Sequence, residues 1–401
     1  MAIIATKVIR MSKSNGWVTN TGDLLSELKS HVEVKTQLRD YKFASAIEQN
    51  VLVYDCERLS ERIFDREARR EVMAELCRAL LIGPGIVALK NMYPDTSIVD
   101  RVSKVFWQII DEQRSRGEAK GDYYAKPGSN DRVWNVQEKL SLRDPEAFVD
   151  YYANDFMSLI ATSWLGPAYQ ITTQVNVVNP GGESQQPHRD YHLGFFTDEA
   201  AMDYPTHVHK LSPVLTLQGA VAHTDMPRET GPTMFLPHSQ KMESGYIAWR
   251  NPDIRKYFAD NFSQLPLAKG DGAFFNPAVF HAAGTNRTTD IKRMANLTQI
   301  GSAFGRTLES VNRQQMSISI FPVLQQRRSA MWSDVDIKNV IAACSEGYPF
   351  PTNLDRDSPL KRLAPQSQAD LVWKALCDGE SVDQLKKTLN DLKERQQTDR
   401  I

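Results

Sequence analysis

Two histidines and an aspartate in this chain have the types and spacing that could bind a metal ion. His188-Arg189-Asp190 sets an imidazole and a carboxylate two residues apart, and His281 lies in the later run Phe280-His281-Ala282-Ala283-Gly284-Thr285-Asn286-Arg287. In an extended strand, side chains two apart share a face, so His188 and Asp190 can grip one ion while Arg189 turns away. A later strand must then deliver His281. Two neutral imidazoles and a carboxylate on one face of an octahedron leave the opposite face open, which is the arrangement of non-haem Fe(II) oxygenases. A zinc hydrolase could use the same ligands, so at this level the reaction stays open. Of the remaining histidines, His192 would share the face of Asp190 if the strand ran on, and is expected to support the site or touch substrate.

The chain around these residues has 401 residues and 41% hydrophobic content, enough for one core of roughly 250 residues with appended segments. Forty-eight basic residues against 49 acidic ones leave a net charge of -1. That balance gives no footprint for nucleic acid or an anionic membrane, and a small-molecule substrate is expected. Cys56, Cys77, Cys344 and Cys377 show no CxxC spacing, as for reduced thiols in a cytoplasmic protein. No run approaches the roughly 18 apolar residues of a membrane span, and Met1 to Arg10 is too short for a signal sequence.

The elements that must position the ligands follow from periodicity. Residues 1–75 read as a partly helical extension, residues 76–322 as the domain carrying the site, and residues 323–401 as a C-terminal helical extension packed on it. Within the domain, Ile86-Val87-Ala88-Leu89 is a short strand and Pro94-Asp95-Thr96 starts a helix reaching about Arg114. From Tyr169 the period changes to two. Strands are predicted over 169–178, 186–191, 213–223, 232–237, 271–276, 278–283 and 293–303, with a helical insertion at 251–260. The fold class expected is therefore mixed α/β, a jelly roll flanked by helices. The loop 118–134, with Tyr123 and Tyr124, is expected to edge the site. Ser381 caps a last helix bearing Val382, Leu385, Leu389 and Leu392, where a homo-oligomer contact is the minority reading.

From about residue 80 to 305 the chain resembles the phytanoyl-CoA dioxygenase family of Fe(II)/2-oxoglutarate oxygenases. Gln174 through Asn179-Pro180-Gly181-Gly182 to Gln186-Pro187-His188-Arg189-Asp190 is similar to that family's strand, Pro-Gly turn and first ligand pair. Thr230-Gly231-Pro232-Thr233 to Leu236-Pro237-His238-Ser239-Gln240-Lys241 resembles its Asn-Gly-Pro and Pro-Gly-Ser-His landmarks, with Thr230 and His238 in place of Asn and Gly. Lys269-Gly270-Asp271-Gly272, then Phe280-His281 and Asn286, resembles its Gly-Asp turn and distal histidine.

The resemblance implies a double-stranded β-helix (cupin-like) core with Fe(II) held by His188, Asp190 and His281, with 2-oxoglutarate as cosubstrate and O2 as oxidant. The distal carboxylate of 2-oxoglutarate needs a fixed cation, and a planar guanidinium suits it. Arg293, at the head of an apolar strand, is the favoured anchor, with Arg287 as the alternative. The family often places a hydroxyl two residues beyond the distal histidine, where this chain has Ala283, so Thr285, Thr298 or another group must substitute. Gln174, Asn176 and Gln218 interrupt apolar runs and are expected to line the pocket or pair inside it. Gln218 lies near the family's cosubstrate-contacting position. The implied reaction is hydroxylation of an unactivated C-H bond of a small metabolite, with 2-oxoglutarate converted to succinate and CO2. Desaturation or cyclisation would use the same iron site, whereas related halogenases lack a carboxylate at the position of Asp190. A zinc hydrolase and a non-catalytic jelly-roll binding protein are the readings from other classes.

Overall fold

The structure, a computed structural model, describes residues 16–118, 121, 128–359 and 362–398. Tyr123, Tyr124 and the first ten residues lie outside the described residues. Eleven strands are described: β1 (Ala46–Glu48), β2 (Val51–Asp55), β3 (Ile86–Lys90), β4 (Asn130–Val133), β5 (Gln170–Val178), β6 (Thr216–Ala222), β7 (Met234–Leu236), β8 (Ser263–Gln264), β9 (Gly272–Phe275), β10 (Phe280–Ala282) and β11 (Arg293–Gly301). Eight form a sheet in the order β1-β2-β3-β9-β6-β11-β5-β4, and three form a second sheet in the order β10-β7-β8. Among the described strands, only the β2-β3 pair is parallel.

β11 sets the faces of the large sheet because it pairs along its length with β5 on one side and β6 on the other. Successive side chains alternate, so a fixed register decides which residues meet the core. Met294 and Ile300 join Val175, Val177, Leu217, Val221 and Phe274 in the largest apolar cluster. The opposite face presents Arg293, Ala295, Leu297 and Gln299, with Gln218, Ala220, Ala273 and Phe275, to a cavity. Each fully buried apolar side chain on the core face contributes roughly 1.5–3 kcal/mol. Helix residues Phe106, Phe148, Ile320 and Val340 complete that cluster.

The ends of the chain are tied to the same core. Leu371, Val372, Leu376, Leu385, Leu389 and Leu392 pack within the cluster, and Ser381 caps the helix Val382–Arg395 with a reciprocal Ser381-Gln384 capping box. Residues 16–75, expected as a partly helical extension, contain strands as well as helices. They supply β1 and β2, and the apolar run Val51-Leu52-Val53-Tyr54 continues the large sheet through β3. Helices do form beside it, over Leu24–Val32 and Arg66–Leu81. Among the described residues, no helix is long and apolar enough to cross a membrane.

The stretch expected as a strand at 186–191 is reduced to a single bridge at His188. Tyr191 and His192 turn to positive φ (65° and 45°) directly after Asp190, which ends any extended run.

Candidate metal centre

His188 and His281 sit opposite one another in that bridge, each backbone N-H donating to the other's carbonyl at 3.0 and 3.1 Å. The pairing joins the segment before Asp190 to β10 and brings the two rings to a centroid separation of 4.5 Å. Each Nδ1 lies against a backbone carbonyl two residues back: His188 against Gln186 O at 2.9 Å, His281 against Val279 O at 3.0 Å. A carbonyl can only accept, so both Nδ1 atoms carry the proton and both Nε2 lone pairs are left for an ion. The backbone thus selects the tautomer that ligation requires.

Asp190 completes the group, with Oδ1 3.6 Å from His188 Nε2 and Oδ2 3.4 Å from His281 Nε2. Ligand atoms of all three residues lie within 4.8 Å of one another, so one ion could touch them all. Burial alone would raise the Asp190 pKa, but His188, His281 and a hydrogen bond from Gln218 outweigh it and hold the carboxyl well below its usual range. Gln218 Nε2 donates to Asp190 Oδ2 at 2.7 Å. Arg189 points the other way, as the alternation of side chains requires. Its Nη2 donates to the carbonyls of Ser239 (2.6 Å) and Met242 (3.0 Å), and its guanidinium lies over the rings of Tyr246 and Phe280.

His188, Asp190 and His281 all open on one cavity, which Arg293 also lines. The Arg293 side chain is buried, and burial lowers its pKa to about 10. Its Nη1 donates to Thr230 O at 3.2 Å, and among the described residues no carboxylate pairs with it. Nearby walls are apolar: Met226, Leu267, Ala273 and Ala295 pack as one small cluster, and the Phe275 ring lies between His281 and Phe235, steeply inclined to both. A buried cation facing an open cavity beside two imidazoles and a carboxylate could hold a metal together with an anionic ligand.

The sequence model of phytanoyl-CoA dioxygenase (PhyH) matches residues 83–294, more than half of the chain and the whole span from β3 to the head of β11. The chain belongs to the phytanoyl-CoA dioxygenase family. It is accordingly a 2-oxoglutarate-dependent oxygenase-type enzyme whose cofactors are Fe(II) and 2-oxoglutarate. A comparison with curated proteins finds no match. Similar solved structures include the non-heme alpha ketoglutarate dependent epimerase SnoN and carbocyclase SnoK from nogalamycin biosynthesis. Each is 17% identical at a TM-score of 0.40, covering 60% of this chain and 84% of the other. AviO1 from Streptomyces viridochromogenes Tue57 is 15% identical at a TM-score of 0.41, covering 60% of this chain and 97% of its own.

Several of the family's landmarks acquire structural reasons. Asp271 accepts from Lys90 Nζ and from the N-H groups of Asn91 and Ala268, so the Gly-Asp turn fastens β9 to the end of β3. His238 holds the left-handed conformation (φ 70°) that glycine adopts easily, braced by side-chain hydrogen bonds to Thr36 and Lys241. Asn286 donates to Val178 O and Ile291 O and shapes the turn after the distal histidine.

Other expected site residues lie elsewhere. Thr298 is on the core-facing parity of β11, opposite to Arg293, and does not line the cavity. Gln174 is covered by Arg132, whose Nη2 donates to its Oε1, and it too is outside the lining. Arg287 is exposed and borders a separate cleft with Arg255 and Gln186. Thr285 accepts from Ser184 N and faces that same cleft. His192 bonds to Ser212 because the kink at Tyr191 carries it off the Asp190 face. Gln218 and Asn176 do line the cavity, the first bound to Asp190 and the second accepting from Asn130 Nδ2. Sequence reasoning missed the Tyr191 hydroxyl, which donates to Gln299 Oε1 at 2.5 Å across the cavity wall. The odd parity that Gln299 shares with Arg293 was the available signal for it.

Proposed function

We propose that this enzyme hydroxylates an unactivated C-H bond of a small metabolite, with Fe(II) held by His188, Asp190 and His281 and the distal carboxylate of 2-oxoglutarate held by Arg293. The observation that carries this reading is Arg293: a buried guanidinium with no carboxylate partner among the described residues, lining the same cavity as the three ligands. An unpaired charge in such a place is costly, and an anionic cosubstrate would relieve it. A zinc hydrolase has no use for that cation. The alternation of strands and the second sheet carrying His281 fit a double-stranded β-helix, with its iron site between the sheets.

When bound, iron and 2-oxoglutarate supply the oxidising power by which one atom of O2 enters the C-H bond while the other leaves in succinate, with release of CO2. The protein's own groups do the rest. Gln186 O and Val279 O keep the ligand rings in the metal-binding tautomer. Gln218 orients the Asp190 carboxylate, and retention of that carboxylate favours hydroxylation over halogenation. Tyr191, Gln299, Phe195 and Leu308 border the remaining cavity, where they would exclude water and position the substrate. Four free cysteines and a near-neutral charge accord with a cytoplasmic setting.

The test is a metabolite screen for substrate-stimulated succinate formation from 2-oxoglutarate under O2, followed by mass analysis of the product. A product one oxygen atom heavier than its substrate is expected. A product two hydrogens lighter would replace hydroxylation by desaturation or ring closure, and no succinate with any substrate would end the oxygenase reading.

A further inference from the structure

Resting on the 2-oxoglutarate reading of the cavity, one position stands out because its usual hydroxyl is missing. Ala283, two residues beyond His281, offers only a methyl group to the cavity. The strand that faces it does better. β10 and β7 pair Phe280 with Leu236, His281 with Phe235 and Ala282 with Met234, so the next positions outward are Ala283 and Thr233.

Parity fixes which way both side chains point. His281 and Phe235 line the cavity, whereas Leu236, Met234, Phe280 and Ala282 pack together in a separate apolar cluster. With a period of two, Thr233 and Ala283 must return to the cavity side, and both do line it. Thr233 is half-buried, and its hydroxyl has no partner among the described residues.

The turn leading to Thr233 is fastened beside Arg293. Arg293 Nη1 donates to Thr230 O. Gly231, at φ 69°, packs so closely that a Cβ there would lie 2.3 Å from Thr285 O. Residues 230–233 are therefore held between the arginine and the segment that follows Ala283.

We propose that Thr233 supplies the hydroxyl that Ala283 lacks, donating its Oγ1-H to the distal carboxylate of 2-oxoglutarate beside the Arg293 guanidinium. The hydroxyl has moved across one rung of the β7-β10 ladder, from one strand to its partner. A carboxylate has acceptor sites to spare for both donors.

The experiment is an anaerobic titration of the Fe(II)-loaded protein with 2-oxoglutarate, and separately with 2-oxovalerate, which keeps the keto acid but has no distal carboxylate. Thr233→Val, nearly isosteric, should weaken 2-oxoglutarate about tenfold, the size of one hydrogen bond to a charged group, and leave 2-oxovalerate unchanged. Thr233→Ser should bind 2-oxoglutarate close to wild type. Adding Ala283→Ser to Thr233→Val should recover most of the loss by restoring a hydroxyl across the rung. The assignment is overturned if Thr233→Val binds 2-oxoglutarate as wild type does, or loses both keto acids equally. Failure of the wild type to bind 2-oxoglutarate at all would instead contradict the reading of the site on which this rests.

Discussion

Gln218 Nε2 donates to Asp190 Oδ2 at 2.7 Å, so the Asp190 carboxylate is oriented by a side chain from the middle of the large sheet. Gln218 stands between Phe275 on β9 and Gln299 on β11, which leaves its amide little freedom to swing. Gln218→Leu removes the donor while keeping most of the volume. The expected result is a fall in Fe(II) affinity of roughly 10–100-fold, as for other partners of metal ligands, measured by equilibrium metal titration, with the fold retained by circular dichroism.

How much of this was legible in the sequence depends on the range of each relationship. The His188-Asp190 pair and β5 and β11 could be read because HxD spacing and strand alternation are local patterns, whereas His281, which lies beside that pair, was placed by the family resemblance. The Gln218-Asp190 bond joins residues 28 apart and depends on which strands neighbour each other, which no local pattern states. Thr298 was misjudged for a different reason: it differs by an odd number from Arg293, so a two-residue period sends it to the other face. The strand β2 went unread because its apolar run sits in a charged lead-in, and pairing with β1 and β3 completes it.

Arg189 and Gly245 form a tight contact behind the metal site. A Cβ at Gly245 would lie 1.9 Å from Arg189 Cζ, whose guanidinium is already enclosed by Tyr246, Phe280 and two carbonyls. Gly245→Ala should destabilise the protein by about 1–3 kcal/mol, the usual cost of overpacking. Chemical denaturation of the metal-free protein checks it. Because Arg189 lies between His188 and Asp190, the proposed ligands, the same variant should also bind Fe(II) more weakly.

His223 gives the stability a defined pH dependence. It is buried between Ser103 and Tyr151, with Nδ1 2.8 Å from Ser103 Oγ and Nε2 3.1 Å from the Tyr151 hydroxyl. Burial lowers its pKa to about 3, with Asp100 opposing weakly. An unfolded histidine takes up a proton near pH 6.5, so below that value the unfolded chain gains a proton that the folded chain refuses. The stabilising term is complete above about pH 6.5 and is lost as pH falls toward 3, at up to about 1.4 kcal/mol per pH unit. Melting curves between pH 4 and 7 should show a shallower acid slope in His223→Gln than in the wild type.

Arg293 and Arg287 separate cleanly as anchors because they line different clefts. Arg293→Met should weaken 2-oxoglutarate by roughly 30-fold or more, as expected for loss of a buried charged partner, while Fe(II) binding persists. Removing a buried, unpaired cation should also raise the melting temperature of the protein without cosubstrate. Arg287→Ala should change neither quantity. If Arg287→Ala loses the cosubstrate and Arg293→Met keeps it, the anchor has been assigned to the wrong residue.

The most direct measurement is an anaerobic addition of 2-oxoglutarate to the Fe(II)-loaded protein, followed by visible spectroscopy. A weak metal-to-ligand charge-transfer band, absent in His188→Ala and saturating with 2-oxoglutarate in the wild type, is the predicted result. An unchanged spectrum in a wild-type protein shown to retain one Fe(II) would contradict the account.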